Sequence, residues 1–409
     1  MIGRWVVKKI IHPVFHRLDH PDYVCYYPAF QRREDLINHY FRARWYLPAY
    51  PQACKRVTMV KDFSGDNPQP GERPAYMGQS TGSGDHIVFY GKLNLWSALL
   101  QARHILFWQP TIKALDWLFR LAGKRVYYVA TEAVDAREYT SYAKILWNML
   151  PEHEREAIVL ESKTRFLNYV DGLEKFRYAR AYVFGTGPTL EEAYDFDFSD
   201  GFRLVCNSIV ANPKLLNHIQ PHFIAAIDEV SHLGISRYAE KFRADLVEVL
   251  RSRNMLFVTI AQNGFILVAN HPELRNKTVL IPCQTMPPNY NLLQDFRLPG
   301  FVSVLSSTML PIATTLAKDI RFLGCDGKSK VRNNEDFWAH GKEAQYQVEL
   351  VNSGHLCHPT FDLHRQAVTY DQYNDELASI ILRGEQEYEM KFGCLRPSNT
   401  PVLRERLIR

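Results

Sequence analysis

The chain of 409 residues has no run of about 18 uninterrupted apolar residues, the length a helix needs to cross a bilayer, which argues against an integral membrane protein. Cysteine is sparse: Cys25, Cys54, Cys206, Cys283, Cys325, Cys357 and Cys394 are odd in number, scattered, and never form a CxxC pair. Such a set argues against a disulfide framework or a zinc site and fits reduced thiols in a cytoplasmic protein. Charge of one sign is also in short supply. The net charge of +5 is spread too evenly to imply a nucleic-acid partner, although it suits an anionic ligand or a membrane surface. No internal repeat or low-complexity tract interrupts the chain.

What is present is ordinary for a globular protein: 46% hydrophobic and 23% charged residues, enough for two or three units at roughly 150 residues each. The first residues, "MIGRWVVKKIIHPVFHRL", set apolar Ile2, Trp5, Val6, Ile10 and Ile11 against basic Arg4, Lys8, Lys9 and Arg17. They lack the long apolar centre and cleavage site of a signal peptide. Two readings fit this short basic amphipathic pattern, a peripheral membrane contact or a terminal helix packed on its own domain.

Residues 20–85 are rich in Tyr, Pro and Arg and then in Gly, Ser and Asp, and predict irregular structure ending in an exposed loop. A strand and helix alternation then begins with "HIVFYG", "LWSALLQA", "HILFWQ", "TIKALDWLFRLAG" and "RVYYVATE", which places a small α/β domain at about 85–135 within an N-terminal region 1–136. Residues 137–180 predict a charged helical connector broken at Pro151. From 181 to 409 the alternation resumes more strongly, with strand candidates "AYVFGTG", "RLVCNSIV", "HFIAAIDE", "MLFVTIA", "TVLIPC" and "DIRFLGCDG". The expected fold class is therefore α/β: a Rossmann-like parallel-sheet nucleotide-binding domain with a smaller N-terminal α/β domain.

The stretch "YVFGTGPTLEEA" predicts a strand running into a glycine turn and a fresh helix. In an open parallel sheet ligands bind beyond the carboxyl ends of the strands, where helix N-termini turn free N–H groups outward. Gly185 and Gly187 at that edge would let a phosphate approach the backbone, Thr186 lies between them, Pro188 suits the first helical turn, and Thr189 adds a hydroxyl. The spacing is neither GxGxxG nor GxxxxGK[ST]. A tight turn with no ligand would use the same residues. The following strands deliver Asn207 and Ser208, Asp228, and Asp326 to the same edge, and a helix start brings Ser306, Ser307 and Thr308. An amide such as Asn207 reads a base or ribose well and caps a helix equally well.

Histidines are densest downstream: His340, then His355, His358 and His364 in "NSGHLCHPTFDLH". Three roles are open for them, namely metal ligation, ordinary hydrogen-bonded packing, and general-base catalysis.

The order "VFGTGPTLEE", "VCNSIV", "SSTMLPIATTLAKDIRFLGCDG", "NSGHLCHP" resembles the motif order of the small bacterial sialyltransferases of glycosyltransferase family forty-two, over about residues 181–374. The resemblance implies a CMP-activated acidic sugar as donor and a glycan or lipid-linked glycan as acceptor, with no metal or other cofactor required. It further implies that Gly185, Thr186, Gly187 and Pro188 face the cytidylate, that Asn207 contacts the nucleotide, that Ser306 to Thr308 lie near the sugar carboxylate, and that His358 is the general base. His340 lies on the same stretch, and Tyr346 stands where the family's tyrosines assist the leaving phosphate. The enzyme would work in the cytoplasm at the inner face of the membrane, with the first domain forming the acceptor side of a cleft. Asp228 in "PHFIAAIDE" is also similar to a related Rossmann-like family of archaeal pterin diphosphokinases and flagellin-modifying motility accessory factors, for which Asp228 and Asp326 would hold Mg²⁺.

Overall fold

The computed structural model describes residues 18–47, 54–79, 82, 84–109, 113–129, 138–174, 179–328, 340–357 and 368–408. They fall into two units. One comprises the described residues up to Arg155 with 234–237 and 353–357, and the other holds the remainder.

The first unit is a five-stranded parallel sheet in the order β3-β2-β1-β4-β5, with β1 His20–Tyr27, β2 Arg56–Lys61, β3 Ile87–Gly91, β4 Ala102–Phe107 and β5 Arg125–Tyr128. The last three strands and the helices Leu95–Gln101 and Lys113–Leu121 lie where the alternating pattern predicts them. The expectation of irregular structure over 20–85 is corrected: this stretch supplies β1, β2 and the helix Arg33–Tyr46. That helix buries His39 and Arg42 as well as Leu36, Tyr40 and Trp45, so no apolar stripe of helical period marks it in the sequence. One face of the sheet closes over Cys25, Val60, Leu99, Ile105, Phe107 and Val126. At the carboxyl edge between β1 and β4, where the strand order reverses, Trp108 stacks on Phe30 at 4.5 Å and donates its indole N–H to the Pro28 carbonyl.

Two helices, Glu138–Met149 and Glu152–Glu174, occupy the charged helical stretch, with Pro151 between them. The second unit is built on a seven-stranded parallel sheet. Its strands are β6 Arg180–Phe184, β7 Gly201–Cys206, β8 Phe223–Ala225, β9 Leu256–Ile260, β10 Thr278–Ile281, β13 Asp319–Leu323 and β14 Lys391–Cys394, in the order β10-β9-β8-β7-β6-β13-β14. The short strands β11 Cys283–Gln284 and β12 Leu298–Pro299 pair separately. All six residues of β7 are buried, which is why it reads as an almost unbroken apolar run. The core joins Val183, Leu204, Phe223, Val258 and Ile320 to Phe166, Leu310 and Leu377 on the covering helices. From β6 the chain adds four strands on one side and then returns to lay β13 on the other, so the topological switch point falls between β6 and β13.

Candidate functional site

At that switch point the two strand ends cross. Gly185 donates its N–H to the Leu323 carbonyl and Gly187 to the Gly324 carbonyl, each at 2.8 Å. A Cβ on Gly185 would collide with the Gly324 carbonyl, and one on Gly187 with the Asp326 carboxylate. Both glycines are therefore demanded by the neighbouring turn, with or without a ligand. Pro188 opens the following helix, a 3-10 run over Pro188–Asp195. Its free N-terminus is not left for an anion. The Thr189 N–H donates to both Asp326 oxygens at 3.2 Å, and the Thr189 hydroxyl donates to Oδ2 at 3.0 Å while accepting the Gly324 N–H at 3.1 Å. Burial raises the Asp326 pKa above its ordinary value, against the pull of the Thr189 bonds.

One strand over, Asn207 stands just beyond β7 with φ of 49°, the left-handed region. Its Oδ1 is buried and accepts no hydrogen bond among the described residues. Asparagine is among the non-glycine residues that enter this region most readily, so the cost lies in the orphaned buried acceptor, about 1–3 kcal/mol. Costs of this kind concentrate where a backbone is held for a ligand. Asn207 does not act as the helix cap that the sequence left open: Cys206 occupies the cap position of the 3-10 turn Asn207–Ala211.

Ser208 is fully buried, and its hydroxyl donates to the Ala344 carbonyl. It thereby ties down residues 340–346, which lie against both strand ends. The Gly341 N–H donates to the Thr186 carbonyl at 2.8 Å, Lys342 N–H to Glu191, Asn212 to Glu343 at 2.9 Å, and the Tyr238 hydroxyl to Gln345 at 3.1 Å. His340 and Tyr346 thus lie on a segment bonded to the edge that carries the glycine turn and Asn207. The Tyr346 hydroxyl donates to Asp245 at 2.7 Å, and burial together with that carboxylate holds the phenol protonated.

Asp228, beyond β8, accepts the N–H groups of Val230 at 3.0 Å and Ser231 at 2.6 Å. In the order β8-β7-β6-β13 two strands separate it from the strand that leads to Asp326, whose carboxylate is turned to Thr189. Among the described residues no group of three metal-ligating side chains stands together. A residue that the sequence reading passed over lies just beyond: His232 is buried, neither ring nitrogen has a partner among the described residues, and its ring packs edge-on against Phe242 at 4.7 Å. Burial lowers its pKa, with Asp228 opposing. Nothing in "DEVSHLG" distinguishes it from an ordinary loop histidine.

Ser306, Ser307 and Thr308 are fully buried in a π-helical turn, Leu305–Met309, at the head of the helix Leu310–Leu316. Such turns recur at functional sites. Here too a protein carboxylate is already at the helix head. Glu376 accepts the Val302 N–H at 2.9 Å and the Ser306 hydroxyl at 3.5 Å, and burial raises its pKa. Its position deep in the helix Val368–Tyr388 gave no sign of this. His355 lies on the helix Val348–Cys357. His358 and His364, and the amphipathic residues 1–17, lie outside the described residues.

No family model matches the chain, and no curated protein matches it. Among solved structures the chain is similar to the sialyltransferase CstII from Campylobacter jejuni in complex with the substrate analogue CMP-3FNeuAc, with 11% identity, a TM-score of 0.32, and coverage of 56% of this chain and 87% of that one. A second structure of that enzyme, with cytidine-5'-monophosphate, gives 15% identity, a TM-score of 0.31, and coverage of 56% and 89%. A third, of the sialyltransferase CST-II with a trisaccharide acceptor and CMP, gives 14% identity, a TM-score of 0.32, and coverage of 56% and 86%. At these scores the likeness assigns neither a family nor an activity to the chain.

Proposed function

We propose that the chain is a glycosyltransferase that moves an acidic nonulosonic or ulosonic sugar, sialic-acid-like or Kdo-like, from a CMP donor to a bacterial surface glycan. The observation that carries this reading is Asn207: a buried amide in the left-handed region whose acceptor is unpaired among the described residues, beside the switch point of a parallel sheet, in the motif order described above. In this reading Oδ1 accepts from the cytosine amine or a ribose hydroxyl, and the nucleotide lies along the carboxyl edge from β7 to β13. Because Asp326 fills the turn at Thr189, the phosphate sits outside that turn, facing residues 185–187 and 340. His358 takes the proton from the acceptor hydroxyl, whose oxygen then bonds to the anomeric carbon as the bond to the cytidylate phosphate breaks. His340 steadies the departing phosphate; Tyr346 joins it only if its hydroxyl turns away from Asp245. No step needs a metal ion, and the basic residues near the N-terminus would keep the enzyme close to a lipid-linked acceptor.

The test is the melting temperature of the full chain with CMP, CTP, ATP, UDP and GDP, each with and without Mg²⁺. A ligand at 100 times its dissociation constant stabilises a native site by about 2.7 kcal/mol, well within reach of a melting curve. A shift with CMP that persists in EDTA is expected. A shift with ATP and Mg²⁺ alone would replace this reading with a diphosphokinase. Binding of CMP-sugar without turnover would leave a binding module.

A further inference from the structure

In the first unit the helix Leu95–Gln101 packs on β1 and β4. Beside it lies a cavity of about 140 Å³ lined by Tyr23, Arg56, Tyr90, Asn94, Ser97 and Gln101 among others, with no acidic residue in its wall. Asn94, Ser97 and Gln101 follow the i, i+3, i+7 spacing of one helix face. Tyr23 and Arg56 are register partners on β1 and β2, so their side chains rise from the same face of the sheet. The Arg56 guanidinium lies 4.8 Å from the centre of the Tyr23 ring. Other guanidiniums of this unit find carboxylates, as Arg33 does with Glu72 and Arg120 with Asp116. That of Arg56 makes no hydrogen bond or ion pair among the described residues.

We propose that this cavity binds a single carboxylated sugar residue, its carboxylate on the Arg56 guanidinium and its hydroxyls on Asn94, Ser97 and Gln101. A planar cation held on an aromatic face presents its donors as a fork that matches a carboxylate. The Gln101 amide donates to the Ser97 hydroxyl at 3.3 Å, which leaves that hydroxyl's proton, the Gln101 oxygen and the Asn94 amide for sugar hydroxyls. A phosphate, which offers acceptors alone at its charged oxygens, would set the amide oxygens against its own charge. The volume is well below the 300–1,000 Å³ typical of drug-sized ligands, so it admits one ring rather than a chain. This inference stands on the cavity and makes no use of the CMP reading.

The experiment is a ligand-observed NMR titration of the full chain with glucuronate, glucose and inorganic phosphate, repeated on Arg56→Gln and on Ser97→Phe, which fills the cavity from the helix side. Glucuronate binds the unmodified protein, glucose and phosphate bind at least about tenfold more weakly, and Arg56→Gln weakens glucuronate by about tenfold or more, as expected for loss of a bidentate charged pair. Absence of glucuronate binding, equal binding of glucose or phosphate, or unchanged affinity in Arg56→Gln would overturn the proposal. Should Arg56→Gln fail to fold, Ser97→Phe decides alone: it keeps the guanidinium and must abolish binding. A CMP-induced melting shift is a separate readout, so failure here leaves the CMP reading untouched and the converse also holds.

Discussion

Asp326 caps Thr189 from the neighbouring strand. The contact joins residues 137 apart in sequence, and it uses both the N–H and the hydroxyl of Thr189. It gives the glycine turn a structural task before any ligand arrives, because Gly187 must lie bare for the Asp326 carboxylate to reach the helix head. A ligand phosphate placed in the same turn would meet that carboxylate, whether repelled by its charge or competing for its donors.

Gly187→Ala should therefore destabilise the protein in the absence of any nucleotide. Overpacking costs about 1–3 kcal/mol where neighbours can yield, and here the neighbours are a backbone carbonyl and a hydrogen-bonded carboxylate, so the upper part of that range is expected. In a unit of this size each kcal/mol lowers the melting temperature by about 2–4 °C. A variant that melts like the parent and loses only its response to CMP would show instead that the glycine serves the ligand.

Asp326→Asn keeps an oxygen acceptor for Thr189 and removes the charge. The folded-state pKa of Asp326 is raised above 3.8, so the folded protein holds this proton more tightly than the unfolded chain. The associated stability is present at low pH and is lost as pH rises from 3.8 through the folded value. The variant should match the parent near the acid end and melt higher at pH 7. Melting curves across that range check the sign, and a variant less stable than the parent at neutral pH would mean that the ionised cap is net favourable.

Asn207→Gly separates stability from binding. Glycine takes φ of 49° as readily as asparagine does and leaves no orphaned buried acceptor, so the variant should be at least as stable as the parent. It also removes Oδ1, and a hydrogen bond of ordinary strength is worth about 0.5–1.5 kcal/mol, a loss of CMP affinity of about 2- to 13-fold. Higher melting temperature with weaker CMP binding is the expected pair of results. Unchanged CMP affinity would remove Asn207 from the site.

His358→Ala should lower turnover by about 10² to 10⁴ and leave donor affinity nearly unchanged, as loss of a general base does. Steady-state kinetics with a CMP-sugar, together with the melting shift given by CMP, separates the two effects. Equal loss of both would count against His358 as the base, and His232, buried with neither ring nitrogen partnered among the described residues, would be the next residue to vary.

The parts of this molecule that could be read from its sequence are those where burial imposes one simple pattern. Strands β6, β7 and β9 are enclosed on both faces, so their apolar runs announced them, and with them the placement of Gly185, Asn207 and Asp326 at strand ends. The helix Arg33–Tyr46 was illegible because polar His39 and Arg42 are as buried as its apolar residues. Residue type and spacing also say nothing of pairings made only in the folded chain. That is why Glu376 at the head of the Ser306 turn, Asp326 on Thr189 and the empty ring nitrogens of His232 came from the structure alone.

Buried histidines are expected to set the acid limit of the fold. Burial, with neighbouring arginines adding to it, lowers His39 and His222 to about 3, and desolvation lowers His104 to about 3 and His86 to about 4. Each is held neutral in the folded protein and takes up its proton near 6.5 when unfolded. The unfolded chain therefore binds more protons below 6.5, and the stability these groups contribute is complete above that pH and is lost as pH falls from 6.5 toward 3–4. Each fully titrating ring adds a slope of up to about 1.4 kcal/mol per pH unit, so the melting temperature should fall between pH 7 and pH 5, while most carboxylates are still ionised. His39 lies among Tyr26, Phe30 and Trp108, and His39→Phe places an apolar ring in that aromatic cluster, which should flatten the acid slope. A melting temperature that stays level from pH 7 to pH 5 in the unmodified protein would mean that these rings reach water and take up their protons in the folded protein as they do in the unfolded chain.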